Sequence, residues 1–128
     1  MKECETTVRV RYEDADPMGF LHHAKYFSYF EIGRTELFRQ SGGNYRQMEE
    51  SGLFVVVVKA ECRFSKPARY DDVLTIHTKL AKLSMAKIEH EYIASRSDEI
   101  LAKGNVTLAV VDRDGRVQPI PDWIQKLY

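Results

Sequence analysis

Three things are in short supply in this 128-residue chain: cysteine, long apolar runs, and charge of either sign in excess. The two cysteines, Cys4 and Cys62, make no disulfide framework and no C-x-x-C metal or redox motif. Both fall in strand-like stretches and read as free thiols. The longest strictly apolar run, Leu53 to Val58, is six residues, against about 20 for a membrane-spanning helix. The N-terminus, with Lys2, Glu3, Glu5 and Arg9, has no apolar segment of the secretory type, so the expected setting is cytoplasmic, without membrane insertion. Nineteen Lys plus Arg balance nineteen Asp plus Glu, a formal charge of zero. That balance argues against a nucleic-acid protein whose affinity rests on a basic surface. Repeats, low-complexity tracts and linkers are also missing, so a single domain over residues 1–128 is expected.

Hydrophobic residues make up 44% and charged residues 30%, the balance of an ordinary globular chain. Thr6 to Tyr12 alternates around Val8 and Val10 and reads as a first strand. It stops in Glu13-Asp14-Ala15-Asp16-Pro17-Met18-Gly19, where acidic, Pro and Gly residues punctuate the backbone. The strongest helix spans His23 to about Gln40, with Tyr26, Phe27, Phe30, Arg34, Leu37 and Phe38 at three- and four-residue spacings on one face. Gly33 falls on that face, and close packing against a sheet would explain it. Ser41-Gly42-Gly43 ends the helix, and a short helical turn follows over Tyr45 to Glu50. Strand patterns then run over Phe54–Phe64, Val73–Leu83, Ala86–Ser95 and Ala102–Val111. Asp112-Arg113-Asp114-Gly115 signals a hairpin, Arg116 to Gln118 returns briefly, and Trp123 to Tyr128 forms a terminal helix or tail.

One strand, one long helix and four or five further strands describe an α+β fold. The expectation is a strongly curved antiparallel sheet of five or six strands wrapped around the helix. One helix cannot cover so large a sheet, so the architecture also predicts dimerisation through edge strands or stacked sheets.

The acidic turn before the helix is the first place to look for chemistry. Arg11-Tyr12-Glu13-Asp14-Ala15-Asp16-Pro17-Met18-Gly19, then His23-Ala24-Lys25-Tyr26-Phe27 and Phe30-Glu31-Ile32-Gly33-Arg34-Thr35-Glu36, resembles the signature of hotdog-fold acyl-CoA thioesterases. A second matching block is Phe64-Ser65-Lys66-Pro67-Ala68-Arg69-Tyr70-Asp71-Asp72. The chain is most similar to the 4-hydroxybenzoyl-CoA thioesterase-like group, in the branch of short-chain acyl-CoA thioesterases associated with the Tol-Pal system. The resemblance extends over essentially the whole chain. It implies a single hotdog thioesterase domain, a homodimer as the minimal active unit with the active site at its interface, and often a homotetramer of two dimers. It implies hydrolysis of a short- or medium-chain, or aromatic, acyl-CoA. No separate cofactor is implied, since coenzyme A is part of the substrate and product.

On this resemblance Asp16 occupies the catalytic carboxylate position and His23 the branch's histidine. Tyr12, Ala24 and Tyr26 fall in the substrate-binding blocks, and Ser65, Lys66 and Arg69 lie near the coenzyme A channel. The branch usually has Tyr-His-Ala-Asn-Tyr where this chain has His22-His23-Ala24-Lys25-Tyr26, so a cation replaces a neutral amide near the helix start.

The chemistry of a thioester makes that placement reasonable. Hydrolysis needs a carboxylate that attacks directly or activates water, and donors for the oxygen that becomes negative. An ordinary carboxylate, with a pKa of about 4, is ionised at neutral pH but weakly basic, which leans toward nucleophilic attack. Amides at the start of the helix lack intrahelical acceptors and suit the developing oxyanion. Each residue also has a plainer reading. Asp16 before Pro17 would shape a turn, Asp14 would bond loop amides, and Glu31 would pair with Arg34. Arg34 and Glu36 read as interface or helix-surface charges. His22 and His23, as neighbours on a helix, would point about 100° apart. His77 and His90 read as sheet-surface or core residues. Asp14, Asp16, His22 and His23 match neither H-E-x-x-H nor a calcium loop, so no metal is expected. There is no G-x-S-x-G elbow.

Two alternatives belong to other classes. A hotdog dehydratase or hydratase would need a histidine–carboxylate pair aimed at the acyl chain, such as His23 with Glu31. A non-catalytic acyl-CoA-binding dimer would bind without turnover.

Overall fold

The computed structural model describes residues 2–128. Strand β1 (Glu3–Arg9) leads through a 3-10 turn (Tyr12–Asp14) and a tight loop into helix α1 (Lys25–Gln40) and the short helix α2 (Tyr45–Glu50). Strands β2 (Phe54–Phe64), β3 (Val73–Leu83), β4 (Ile88–Arg96), β5 (Glu99–Val111) and β6 (Val117–Gln118) follow, and helix α3 (Asp122–Gln125) closes the chain. The sheet is antiparallel throughout, in the order β1-β3-β4-β5-β2, with β6 pairing the end of β5.

The alternation seen in the sequence is the alternation of burial. Leu74, Ile76, Thr78 and Leu80 of β3, and Ile88, His90, Tyr92 and Ala94 of β4, all face the core. Between them stand exposed or half-buried residues such as Lys79, Glu89 and Glu91. Gly33 lets α1 sit directly on β3, because a side chain there would overlap the Thr78 hydroxyl and crowd Ile76. From that position Phe30 reaches further across, stacking on Tyr92 with ring centroids 4.5 Å apart and abutting Gly104 of β5.

This arrangement corrects the expected curvature. The sheet is open, with β1 and β2 as its two unpaired edges, and it does not curl strongly around the helix. The backbone of α1 approaches β1 and β3, and the remaining contact is made by long side chains rather than by bending strands. A helix buries only one stripe, and close approach at a glycine satisfies that stripe without closure. A cleft consequently remains between α1 and β2.

Several boundaries also move, β4 among them, which covers Ile88–Arg96 rather than Ala86–Ser95. β1 lies three residues earlier than expected, because its polar N-terminal half pairs with Lys79 to Ile76 of β3 while Tyr12 bends away. Helix α1 begins at Lys25 rather than His23, and β5 starts at Glu99. Gly42 and Gly115 adopt the positive φ expected of the helix end and the hairpin, at 101° and 80°.

Candidate active site

Between β1 and α1 the chain folds back on itself. Asp16 N–H donates to Phe20 O at 2.7 Å and His22 N–H to Asp14 O at 2.8 Å, with Gly19 at a positive φ of 79° in the turn. Asp16 therefore sits at the tip of a miniature antiparallel ribbon. Its side chain tightens that tip: Oδ1 accepts the amides of Met18 and Phe20 at 2.9 and 3.1 Å. The plainer reading of Asp16 as a turn-former is thus visible. It consumes one carboxylate oxygen, and among the described residues Oδ2 accepts no hydrogen bond.

The ribbon docks on the second sequence block. Leu21 N–H donates to Ala68 O at 2.8 Å, Tyr70 N–H meets Gly19 O at 3.4 Å, and the Arg69 guanidinium lies 4.9 Å from the Phe20 ring centroid. The Tyr12 and Tyr70 rings meet edge to face at 5.4 Å, with Tyr12 82% exposed. Two segments some fifty residues apart in sequence thereby frame one surface around Asp16.

Behind that surface lies Asp14, fully buried. It receives Tyr29 Oη–H at 2.7 Å and Arg11 Nε–H at 3.2 Å, and Lys25 Nζ stands 3.7 Å away. Burial pushes its carboxyl upward, but these donors and cations outweigh burial and hold it below the usual carboxylate range. Burial and the adjacent Asp14 anion together push the Tyr29 phenol well above its ordinary value. Asp14 binds side chains here, not the loop amides expected of it. Lys25, the cation in place of an amide, is a counter-ion to Asp14.

The histidines are arranged differently from the expectation. Because the helix starts at Lys25, His22 and His23 precede it and stack at 4.3 Å, both exposed, instead of diverging. His22 takes the first amides itself: Ala24 N–H donates to its Nδ1 at 3.1 Å and Lys25 N–H to its carbonyl at 2.9 Å. Among the described residues neither ring is hydrogen-bonded to a carboxylate. Glu31 instead pairs with Arg34 at 3.7 Å, so the His23–Glu31 arrangement that a dehydratase would need is not formed. Arg34 is 8% exposed, a buried residue rather than a surface charge.

Ala24 is exposed, whereas Tyr26 is buried, its ring against Phe64 at 5.1 Å and its phenol toward the backbone of Ala68. Ser65, Lys66 and Arg69 are all exposed. Lys66 Nζ donates to Glu99 at 2.8 Å, Arg96 bridges Glu99 and Asp72, and Asp72 accepts the Arg69 amide at 2.8 Å. Any phosphate held by Lys66 would share that cation with Glu99. Tyr29 and Arg11, which hold the Asp14 carboxylate, are the side chains of this region that sequence reasoning did not single out. The i, i+4 spacing of Lys25 and Tyr29, which sets both on one helix face, was the available signal.

A helix laid on an antiparallel sheet, with a carboxylate at the tip of a ribbon before that helix, defines a class of small thioester hydrolases. The model of the thioesterase-like superfamily matches residues 10–127, and the chain belongs to that superfamily, related to its YbgC branch with the hotdog fold. An acyl-CoA thioesterase YbgC from Haemophilus influenzae is 35% identical over 116 residues, covering 88% of this chain and 83% of that protein. Among solved structures, a hypothetical protein from Aquifex aeolicus superposes with a TM-score of 0.92 at 35% identity, covering 97% of this chain and 98% of the other. A hypothetical protein from Thermus thermophilus gives 0.91 at 32%, covering 96% and 95%.

Proposed function

We propose that this protein hydrolyses the thioester bond of short- or medium-chain acyl-CoA, single-ring aromatic acyl groups included, releasing the free acid and coenzyme A. The observation that carries the site is the division of labour within the Asp16 carboxylate. Oδ1 is anchored by two amides, so Oδ2 is presented in a fixed direction on the surface framed by Tyr12, Phe20 and Tyr70. As a nucleophile, Oδ2 attacks the carbonyl carbon, the carbon–sulfur bond breaks with loss of the CoA thiolate, and water opens the resulting anhydride. As a general base it takes a proton from the water that attacks the same carbon. Either route delivers the same products, and exposed His23 is suited to donate to the thioester oxygen.

In this reading Tyr12, Ala24 and Tyr26 contact the substrate, and the exposure of Tyr12 beside Tyr70 supports the first of these. Lys66 and Arg69, with Ser65, offer donors for the nucleotide end of coenzyme A. The unpaired edge of β2, with Val56, Val57 and Val58 exposed, supports a homodimer as the active unit and a tetramer of two such dimers. Residues 1–128 are read as one hotdog domain. No helix among the described residues is long and apolar enough to cross a membrane. The two free thiols fit a cytoplasmic setting.

The test is the initial rate of free-thiol release from short, medium, long and aromatic acyl-CoAs, comparing the wild type with Asp16→Asn. Asparagine keeps an oxygen to accept both amides, so the ribbon tip survives while the anion is lost. We expect turnover of one short or aromatic class, falling by roughly 100-fold or more in the variant. Full activity of Asp16→Asn would overturn the site, and absence of turnover across the panel would overturn the activity.

A further inference from the structure

Three hydrogen bonds and one ring contact converge on His22. Its N–H donates to Asp14 O at 2.8 Å and closes the base of the ribbon. Its carbonyl accepts the Lys25 N–H at 2.9 Å, and its Nδ1 accepts the Ala24 N–H at 3.1 Å. Nδ1 lies next to the ring's attachment point, so an imidazole can reach the amide two residues on. The result is the histidine counterpart of an Asx turn, and the residue it encloses is His23. Helix α1 has no side-chain cap bond from Ala24, so the His22 side chain fixes the chain at the helix entrance instead. The His22 ring also lies on the His23 ring, with centroids 4.3 Å apart and planes 26° from parallel.

The ribbon relates this clamp to Asp16. Its cross-strand pairs run Asp16–Phe20, Ala15–Leu21 and Asp14–His22. His22 is therefore the diagonal neighbour of Asp16, a relation that separates such positions by about 7–8 Å. A reacting carbonyl needs about 3 Å on each side, to the carboxylate and to the donor, and a gap of that size admits it. The His23 ring, stacked on that of His22, is kept beside this gap. An exposed imidazole left to itself samples several rotamers. Both histidines are exposed, so the turn and the stack, rather than core packing, restrict His23.

We infer that His22 is a positioning residue: it holds the His23 imidazole beside Asp16 and acts on the reaction through His23. The inference rests on the acyl-CoA thioesterase reading above, in which His23 donates to the thioester oxygen.

The experiment measures kcat and KM for butyryl-CoA and benzoyl-CoA in the wild type, His22→Ala, His23→Ala and the double variant, with thermal melting to verify folding. His22→Ala should lower kcat by about 10-fold and leave KM within about twofold, because a misoriented donor slows the chemical step. In the His23→Ala background the same change should alter kcat by less than about twofold. A purely structural loss, acting through the ribbon and Asp16, would persist in that background. His22→Phe keeps the ring and His22→Asn keeps an acceptor for the Ala24 amide, so each should recover part of the kcat lost in His22→Ala. These two variants decide the matter if His22→Ala melts early or His23→Ala falls below detection. An unchanged kcat in His22→Ala overturns the inference, as do losses that multiply in the double variant, no recovery in either conservative variant, or a wild-type kcat in His23→Ala. Those results leave the thioesterase reading standing. Failure of the wild type to hydrolyse any thioester of the wider panel overturns both.

Discussion

The hydroxyl of Tyr29, on the second turn of α1, donates at 2.7 Å to the fully buried carboxylate of Asp14. This bond ties the helix to the ribbon that presents Asp16, since Asp14 O accepts the His22 amide at the ribbon's base. Tyr29→Phe keeps the ring and removes the donor. A buried charged acceptor that loses such a partner destabilises the fold by about 1–3 kcal/mol. Urea denaturation of the variant should show a loss of that size. A stability within a few tenths of a kcal/mol of wild type would mean that Arg11 and Lys25 suffice to hold Asp14. Because the folded pKa of Asp14 is depressed, its stabilising contribution is present above the unfolded carboxylate range and is lost as pH falls through the folded pKa.

His90 acts in a separate pH window. Burial, with a smaller effect of the Arg34 charge, lowers its pKa to about 4. The unfolded chain protonates this residue below about 6.5 while the folded chain keeps it neutral, so the unfolded state binds more protons between those values. Stability should therefore decline as pH drops from about 6.5 to about 4, by about 3 kcal/mol in all, an order-of-magnitude figure. His90→Phe should flatten that part of the stability–pH curve. A slope between pH 6.5 and 4 that persists in the variant would assign it to other groups.

Asp16 combines a structural and a chemical part, which two substitutions separate. Asp16→Ala removes the acceptor for the Met18 and Phe20 amides and should destabilise the fold by about 1–2 kcal/mol. Asp16→Asn retains the acceptor and should remain within about 0.5 kcal/mol of wild type. Both should lose thiol release. If the two variants are equally stable, the ribbon tip does not depend on this side chain. Retained activity in either would move the chemistry elsewhere.

Local patterns carried most of the fold. β3 lies on the predicted residues because its alternation is strong, and β2 because a β-branched run ends at Lys66-Pro67. Edge strand β1 was misplaced because Glu3 to Thr6 pairs through its backbone while showing little apolar alternation. The sheet's openness was not legible at all, since it depends on how closely α1 approaches β3 at Gly33, a contact between residues far apart in sequence. Within the site, the Asp16 turn could be read from Asp-Pro-Met-Gly. Arg34 fell on the apolar face of the helix pattern, yet its charge read as a surface feature, and the Tyr29–Asp14 bond could not be read, because it requires knowing how the ribbon docks on α1.

The exposed edge of β2 carries the last prediction. Val57 and Val58 are 52% and 53% exposed on a strand whose outer side is unpaired. An apolar, hydrogen-bond-competent edge of this kind invites a second strand unless charge or proline blocks it. Pairing two copies through β2 would also cover the α1–β2 cleft, which is lined by Val57. A lysine at position 57 introduces like charges across such a twofold pairing and opposes it. Sedimentation equilibrium should show a dimer or tetramer for the wild type, with Val57→Lys shifted toward monomer and thiol release falling in parallel. Because residue 57 lies outside the folded core, circular dichroism should be unchanged. A wild type that is monomeric yet fully active would refute the edge-paired dimer and place the complete site within one chain.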